Sequence, residues 1–317
     1  MSHRIGILMD PIEAIKPYKD TSFAILLAAQ ARGCEIQYMT PADLSIDCGV
    51  AMGHMAGLTV RDQSNDFFSL EPAQTRPLNE LDALFIRTDP PFDSEYLYAT
   101  QILDLAEAQG VRVVNRPASV RDCNEKLFAT HFADLMAPTL VSRNEAQLRQ
   151  FHQTHGDVIF KPLDGMGGRG IFRIGEDGMN LGAVIEGLTD NGANTIMAQK
   201  FLPEIVDGDK RILMINGEPV DHCLARIPSV GETRGNIAAG GRGVVQPLSD
   251  SDHQLASTIG PHLRERGLYL VGLDVIGSRV TEINVTSPTC MREIMAETGQ
   301  DVAGRLLDVV LNEVISK

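Results

Sequence analysis

Short apolar runs separated by polar helical stretches organise the first third of the chain. Arg4–Met9 (RIGILM) is an almost continuous apolar run stopped by Asp10-Pro11, the pattern of a buried strand. Residues 21–32 read as a helix that Thr21 or Ser22 can cap and Gly33 closes. Glu35–Met39 and Ala83–Arg87 (ALFIR) are further strands, the second running into the rigid loop Thr88-Asp89-Pro90-Pro91. Residues 95–109 are helical up to Gly110, and 111–115 (VRVVN) return to strand. Such alternation predicts a parallel sheet with helices on its faces. The stretch 50–77 has the least regular pattern.

Past a boundary at 116–124, Asn124 is placed to cap a helix over 125–134 and Asn144 another ending at Gly156. Val158–Pro162 (VIFKP) is a strand, a glycine-rich loop follows, and 171–174 (IFRI) is strand again. With a helix over 181–188 and a strand over 195–199, this middle segment predicts a small mixed sheet with two helices. In the last third, strands at 211–215 and 219–226 are joined by Asn216-Gly217, the strongest short hairpin signal. Residues 249–267 are helical, 269–276 and 279–285 form a second hairpin, and helices over 289–298 and 301–315 follow. No internal repeat is present.

Composition narrows the function. The net charge of −14 argues against nucleic acid as a partner, because phosphate backbones demand clustered Lys and Arg. Any anion site must therefore be basic against the global field, which makes the few basic residues informative. Five cysteines, none in a C-x-x-C arrangement, read as reduced thiols. There is no signal-peptide pattern and no apolar run of about 18 residues. A soluble, cytoplasmic protein with no membrane partner is expected.

Two motifs carry chemistry. In DGMGGRG (164–170), Gly165, Gly167 and Gly170 match G-x-G-x-x-G, which in a dinucleotide fold requires a helix immediately afterwards. Here a strand follows, so the loop reads as a flap whose backbone amides can lie on phosphates. Lys161, just before it, and Lys126 upstream are the matching cations. The second motif is VTEINVTSP: Glu282 and Asn284 stand at i and i+2 on a strand and so share a face, offering a carboxylate and an amide oxygen to Mg²⁺. Asp274 joins them only if the hairpin register allows. A two-residue turn at Gly277-Ser278 faces it to Thr281, and a three-residue loop faces it to Glu282.

Two lysines, a glycine flap between strands and a D…E-x-N hairpin together resemble the ATP-grasp superfamily. Along nearly the whole chain the sequence is similar to the prokaryotic glutathione synthetase family. The matching stretches are MDPI (9–12), DPPFD (89–93), RDCNEKLF (121–128), KPLDGMGG (161–168), DGDKR (207–211), CLARIP (223–228), GETRGN and AAGGRG (231–243), GLD (272–274) and TEINVTSPTC (281–290). The resemblance implies an α/β and α+β protein, an ATP-grasp fold with an N-terminal parallel α/β (pre-ATP-grasp) domain. Its expected division is 1–123, a central lobe 124–203 and a C-terminal lobe 204–317, with the ATP-grasp region at about 126–311.

The implied reaction joins γ-L-glutamyl-L-cysteine to glycine with ATP through an acyl phosphate. By the same resemblance, Lys126, Lys161, Asp209 and the flap Gly165, Met166, Gly167 and Gly168 contact ATP, and Gln199, Lys200, Phe201 and Leu202 border the adenine. Asp274, Glu282 and Asn284 hold Mg²⁺, with Mn²⁺ the alternative. Arg211 and Arg226 are the catalytic candidates, Arg211 stabilising the acyl phosphate, and Arg226, Arg87 and Ser287 serve the substrate. Arg87 is equally a candidate for a salt bridge to Asp89 or Asp93. The glycine-rich stretch 227–243, with Arg234, Gly240, Gly241 and Arg242, has the composition of a lid. A homotetramer is the implied assembly. The competing readings are a ligase for D-alanine or for adding glutamate to a protein, a dehydrogenase, and a non-catalytic ATP sensor; a strand after the glycines opposes the dehydrogenase.

Overall fold

The computed structural model describes residues 2–229, 231–232, 235 and 240–315, with strands in three sheets. The first contains β1 (Arg4–Met9), β2 (Glu35–Met39), β3 (Leu44–Asp47), β4 (Val50–Val60), β5 (Phe68–Leu70), β6 (Gln74–Pro77), β7 (Ala83–Arg87) and β8 (Arg112–Val114). Its order is β3-β4-β2-β1-β7-β8. The β2-β1-β7-β8 part is parallel, as the alternation predicts. The irregular stretch is instead an antiparallel extension, in which the 11-residue β4 pairs with β2, β3, β5 and β6. Glycines interrupt its alternation for packing reasons: a Cβ on Gly53 would lie 2.8 Å from Leu78 Cδ2.

Helix α1 (Thr21–Ala31) packs with Ile5, Ile7 and Met9 of β1, while α2 (Ser94–Ala108) packs with Leu8 and Leu84. The cap of α1 is Asp20, one residue earlier than expected: its Oδ1 accepts from the Phe23 amide at 2.7 Å. Thr21 and Ser22 are buried and bond elsewhere, Ser22 Oγ accepting from Arg87 Nε at 3.1 Å. A short α3 (Pro117–Asp122) leads out of this sheet.

The expected helix over 125–134 is replaced by kinked 3-10 turns at Phe128–Leu135. Asn124 does cap, accepting from the amides of Lys126 and Leu127. However, the Glu125 carbonyl accepts from the Ile283 amide at 2.9 Å, which ties the start of the segment to a distant strand.

The second sheet comprises β9 (Thr139–Ser142), β10 (Val158–Pro162), β11 (Phe172–Ile174) and β12 (Ile196–Lys200), in the order β11-β10-β12-β9. It is wholly antiparallel rather than mixed. Helices α4 (Glu145–His155) and α5 (Leu181–Thr189) cover it through Leu148, Phe160 and Ile185.

The third sheet holds β13 (Asp209–Ile215), β14 (Glu218–Ile227), β15 (Arg242–Pro247), β16 (Leu270–Ile276) and β17 (Arg279–Asn284), in the order β15-β14-β13-β16-β17. Asn216 and Gly217 have φ of 49° and 78°, the left-handed pair that a tight hairpin turn requires. Ile212, Met214, Leu273 and Val275 face α6 (Asp250–Glu265). On the opposite face, Leu213, Ile215 and Leu224 join the β1 core together with α7 (Met291–Thr298) and α8 (Val302–Ile315). Because side chains alternate along a strand, that second face continues past the core as Asp209, Arg211, Arg226 and Asp274. The candidate site sits there.

Candidate active site

The four residues form a buried, alternating charge network. Arg211 donates Nε to Asp274 Oδ1 at 2.6 Å and Nη2 to Oδ2 at 3.1 Å, a two-point grip. Arg226 Nη2 lies 2.6 Å from Asp209 Oδ2 and 2.9 Å from Asp274 Oδ2. Burial alone would raise the Asp274 carboxyl, but the two guanidinium groups outweigh it and hold Asp274 well below the usual carboxylate range. Asp209 goes the other way. Burial, aided by the charge of Asp274, overcomes the pull of Arg226 and pushes it up to about 6. Its Oδ1 is buried without a partner.

The metal hairpin resolves the register question with a device neither alternative contained. The turn is two residues long, since Ile276 pairs with Arg279 and Val275 with Val280. A bulge follows, so that Asp274 pairs with Glu282 and Gly272 with Asn284. Thr281 is the extra residue, and its Oγ1 donates back to the Asp274 carbonyl at 3.2 Å. Asp274, Glu282 and Asn284 therefore share one face. Asn284 Nδ2 donates to the Gly272 carbonyl, which orients the amide and leaves its oxygen as the atom that could ligate a cation. Two carboxylates and an amide oxygen suit Mg²⁺, which takes one or two carboxylates and fills the rest with phosphate and water oxygens. Among the described residues no cluster of three or more His, Cys, Asp or Glu offers a rival site.

The small sheet supplies the opposite wall. Lys161, on β10, is buried, and its Nζ donates to Gln199 Oε1 at 3.4 Å and the Thr281 carbonyl at 3.2 Å. Burial pulls its pKa down. β10 and β11 pair directly, with Phe160 opposite Phe172, so the glycine loop is a hairpin flap as its sequence context suggests. Gly167 and Gly168 take φ of 62° and 80°, a conformation that side chains disfavour. Lys126 reaches across, its Nζ donating to the Gly165 carbonyl at 2.7 Å and to Glu282 Oε1 at 2.9 Å.

These elements enclose one cleft that brings together Lys126, Lys161, the flap from Gly165 to Gly168, Gln199, Lys200, Phe201, Leu202, Asp209, Arg211, Asp274, Glu282 and Asn284. A second cleft opens beside it against the first sheet. The two share Glu125, Met166, Gly167, Arg211 and Asn284. Arg226 and Ser287 border only the second cleft. Arg226 is committed to its two aspartates there. Arg87 is in neither: it is 4% exposed, and its guanidinium binds Ser22 Oγ and the Pro288 carbonyl rather than Asp89 or Asp93. Asp93 instead caps α2 through Tyr96 N. Arg87 thus locks the 287–289 turn onto α1.

Of the residues expected in a lid, Arg234 lies outside the described residues. Arg242 opens β15 opposite Ile227, and Gly240 O accepts from Ser229 Oγ. Gly235 lines the first cleft; a Cβ there would meet the Arg226 carbonyl at 2.3 Å.

Sequence reasoning missed Glu125. Its half-buried carboxylate accepts from the Val285 amide, the Thr286 amide and Thr286 Oγ1, holding the segment that follows Glu282 and Asn284. Burial and the charge of Glu282 raise its pKa. Only its position beside Lys126 could have flagged it. Lys16, Lys19 and Glu293 of the second cleft carry no motif.

Models of known families match nearly the whole chain. The prokaryotic glutathione synthetase N-terminal domain matches residues 3–121, and the ATP-grasp domain of the same family matches 125–299. The chain is 56% identical over 317 residues to a glutathione synthetase of Pseudomonas aeruginosa, covering 100% of each. It is 56% identical over 307 residues to that of Shewanella oneidensis, covering 97% of this chain and 98% of the relative. Among solved structures, the ATP-grasp ligase PsnB complexed with minimal precursor, Mg and ADP aligns with a TM-score of 0.62 at 18% identity over 98% of each chain, a likeness of fold.

Proposed function

The chain belongs to the prokaryotic glutathione synthetase family, and on that premise we propose that its paired clefts ligate γ-L-glutamyl-L-cysteine to glycine at the expense of ATP. The observation that carries the residue assignment is Arg211, a buried guanidinium that lines both clefts. The first cleft takes ATP and the second takes the dipeptide, so Arg211 stands where γ-phosphate and carboxylate meet.

A carboxylate at neutral pH is inert to amines. The cysteinyl carboxylate attacks the γ-phosphorus, ADP leaves, and the glycine nitrogen then displaces phosphate from the acyl carbon. Lys126 gives up Glu282 to take a phosphate oxygen, and Lys161 supplies a second cation from the wall. The flap amides lie over the phosphates. The strand end at Gln199–202 borders the base. Arg211 faces the charge that grows on the acyl phosphate and the tetrahedral intermediate, where a fixed donor in a dry site is most effective. Asp274, Glu282 and Asn284 would hold Mg²⁺, which when bound neutralises phosphate charge. The stretch 227–243 is assigned as the lid that keeps water from the acyl phosphate.

The assignment extends to a division at 1–123, 124–203 and 204–317, and to a homotetramer in the cytoplasm. Five free thiols support a reducing compartment. No helix among the described residues is long and apolar enough to cross a membrane.

One assay tests the reading: ADP release from the purified protein with Mg-ATP, given γ-glutamylcysteine plus glycine, D-alanine, or neither. Release that requires both dipeptide and glycine is expected; release with D-alanine alone would remove the reading. Glu282→Gln should raise the Mg²⁺ concentration needed for half-maximal rate, and an unchanged requirement would take Glu282 out of the metal set.

A further inference from the structure

One end of the first cleft is held by three residues that close on one another. β12 ends at Lys200, and Phe201 follows it as part of the cleft wall. Arg173, on β11, places its guanidinium over the Phe201 ring, 3.7 Å from the centroid. The Arg173 Nε donates to Asp157 Oδ1 at 2.9 Å and to Oδ2 at 3.1 Å, and Nη2 donates to the same carboxylate. Asp157, immediately before β10, accepts from the Phe201 amide through its own carbonyl at 2.9 Å. Aromatic ring, ion pair and backbone bond thus form a closed circuit in which each residue fixes the other two.

Strand register puts this circuit on the face that lines the cleft. Arg173 pairs with Ile159, and Ile159 pairs with Gln199. Directly opposed residues of an antiparallel pair share a face, as do residues two apart on one strand. Ile159, Lys161 and Gln199 all line the cleft, so Arg173 stands on their side of the sheet. Neither Arg173 nor Asp157 belongs to a motif that carried the family resemblance.

Folding stability alone gives this pair little to do. The Arg173 and Asp157 side chains are 41% and 26% exposed, and ion pairs as solvated as that contribute little to global stability. The local effect is larger. Phe201 lies past the last paired residue of β12, where the ladder no longer aims its side chain. A cation over one face of an aromatic ring supplies that orientation. The strand that bears Arg173 is the one in which the glycine flap ends. It is three residues long, lies at the edge of its sheet and pairs with β10. Arg173 therefore ties the weakly held end of the flap to the wall at Phe201.

We propose that Arg173, oriented by Asp157, is a positioning residue for the nucleotide: it sets the Phe201 ring against the base and anchors the flap strand to that same wall, so that the base and phosphate ends of the cleft are aligned together. The inference rests on the reading of the first cleft as the nucleotide site and is independent of which carboxylate and amine are joined. Arg173 touches no reacting atom. Its effect belongs in nucleotide affinity, whereas that of Arg211 belongs in the chemical step.

Calorimetric titration of the full-length protein with Mg-ADP reads that affinity directly, and initial rates of ADP release give KM and kcat. Arg173→Gln removes the cation and the two-point grip, and should weaken Mg-ADP about 5- to 20-fold. KM for ATP should rise in proportion, with kcat and the KM for γ-glutamylcysteine within about twofold of the wild type. Arg173→Lys keeps a cation without the fork and should fall between the two. Phe201→Leu supplies the decisive background. There Arg173→Gln should change the Mg-ADP affinity by less than about twofold, because the ring through which Arg173 acts is gone. Urea midpoints of the Arg173 variants should stay close to that of the wild type. Wild-type affinity in Arg173→Gln, an equal loss in both backgrounds, or a loss confined to kcat overturns the clamp. If the unsubstituted protein does not bind Mg-ADP, the nucleotide reading of the cleft has failed, and the two failures are thereby distinguished.

Discussion

The flap at 163–170 and the charged end of the C-terminal sheet serve the same cleft by opposite physical means. The flap is a hairpin loop whose shape depends on glycine backbone at φ of 62° and 80°. The groups proposed to work there are backbone amides, and Met166 at its tip is 41% exposed. The sheet end is a set of side chains, with Arg211, Arg226 and Asp274 each under about a tenth exposed and locked by reciprocal ion pairs. Segments that must open for a ligand come from the weakly held end of a structure, whereas charge that must meet a transition state is fixed before it arrives. A substitution in the flap should therefore act on ligand binding, and one in the network on folding and turnover together.

The strongest way to break that distinction is Asp274→Ala. It leaves Arg211 buried with no carboxylate, and the unfolding free energy should fall by about 3–5 kcal/mol, along with loss of ADP release. Urea denaturation that shows a loss under about 1 kcal/mol would mean that the network is not structurally essential.

Gly272→Ala probes positioning more gently. A Cβ there would sit 2.7 Å from Arg211 Cδ and 3.0 Å from Pro288 Cβ. We expect a stability loss of about 1–3 kcal/mol from overpacking and a fall in kcat on the order of 100-fold as Arg211 is displaced. A rise in KM for ATP with kcat intact would contradict the assignment of Arg211 to the transition state.

Gly167→Ala is the flap counterpart. Strain of roughly 1–2 kcal/mol at a left-handed residue should appear as a rise in KM for ATP of about tenfold, because an exposed loop can relax without global unfolding. A denaturation midpoint that drops as far as that of Gly272→Ala would erase the contrast.

A further contrast, in pH dependence, concerns Asp209. Its folded pKa, about 6, stands above the ordinary value of 3.8, so the folded state holds this proton more tightly. The favourable contribution is complete below the ordinary value and is lost as pH rises through about 6. Asp274, depressed instead, contributes above its ordinary value and loses that contribution as pH falls further. Relative to Asp209→Asn, the wild type should gain on the order of 1–3 kcal/mol on acidification from pH 7 to about pH 4. Parallel stability curves for the two proteins would refute the assignment.

Local physics made a good part of this legible in advance. Gly165, Gly167 and Gly170 followed by a β-branched strand announce a flap, and the i, i+2 placement of Glu282 and Asn284 puts two oxygen ligands on one face whatever the rest of the chain does. Asn216-Gly217 specifies its turn through backbone conformation, whereas the turn after Ile276 stayed open between two and three residues until the strand pairing decided it. The stretch 50–77 was obscured because its glycines answer to neighbours across the sheet, as Gly53 does to Leu78. The helix expected after Asn124 lost to a carbonyl bond with Ile283, a partner that no nearby residue reveals.

Sequence by itself determined the types of chemistry available: a phosphate loop, two lysines, oxygen ligands for a hard cation and a family. Tertiary structure alone decided how they combine. A single extra residue, Thr281, turns Asp274 toward Glu282. Residues 63 apart, Arg211 and Asp274, neutralise one another. Residues more than 250 positions apart, Lys19 and Glu293, wall one cleft. Side-chain period and turn preference act over a few residues and are written locally. Register, burial and ion pairing depend on which distant strands dehydrate together, and that is settled only when the core closes.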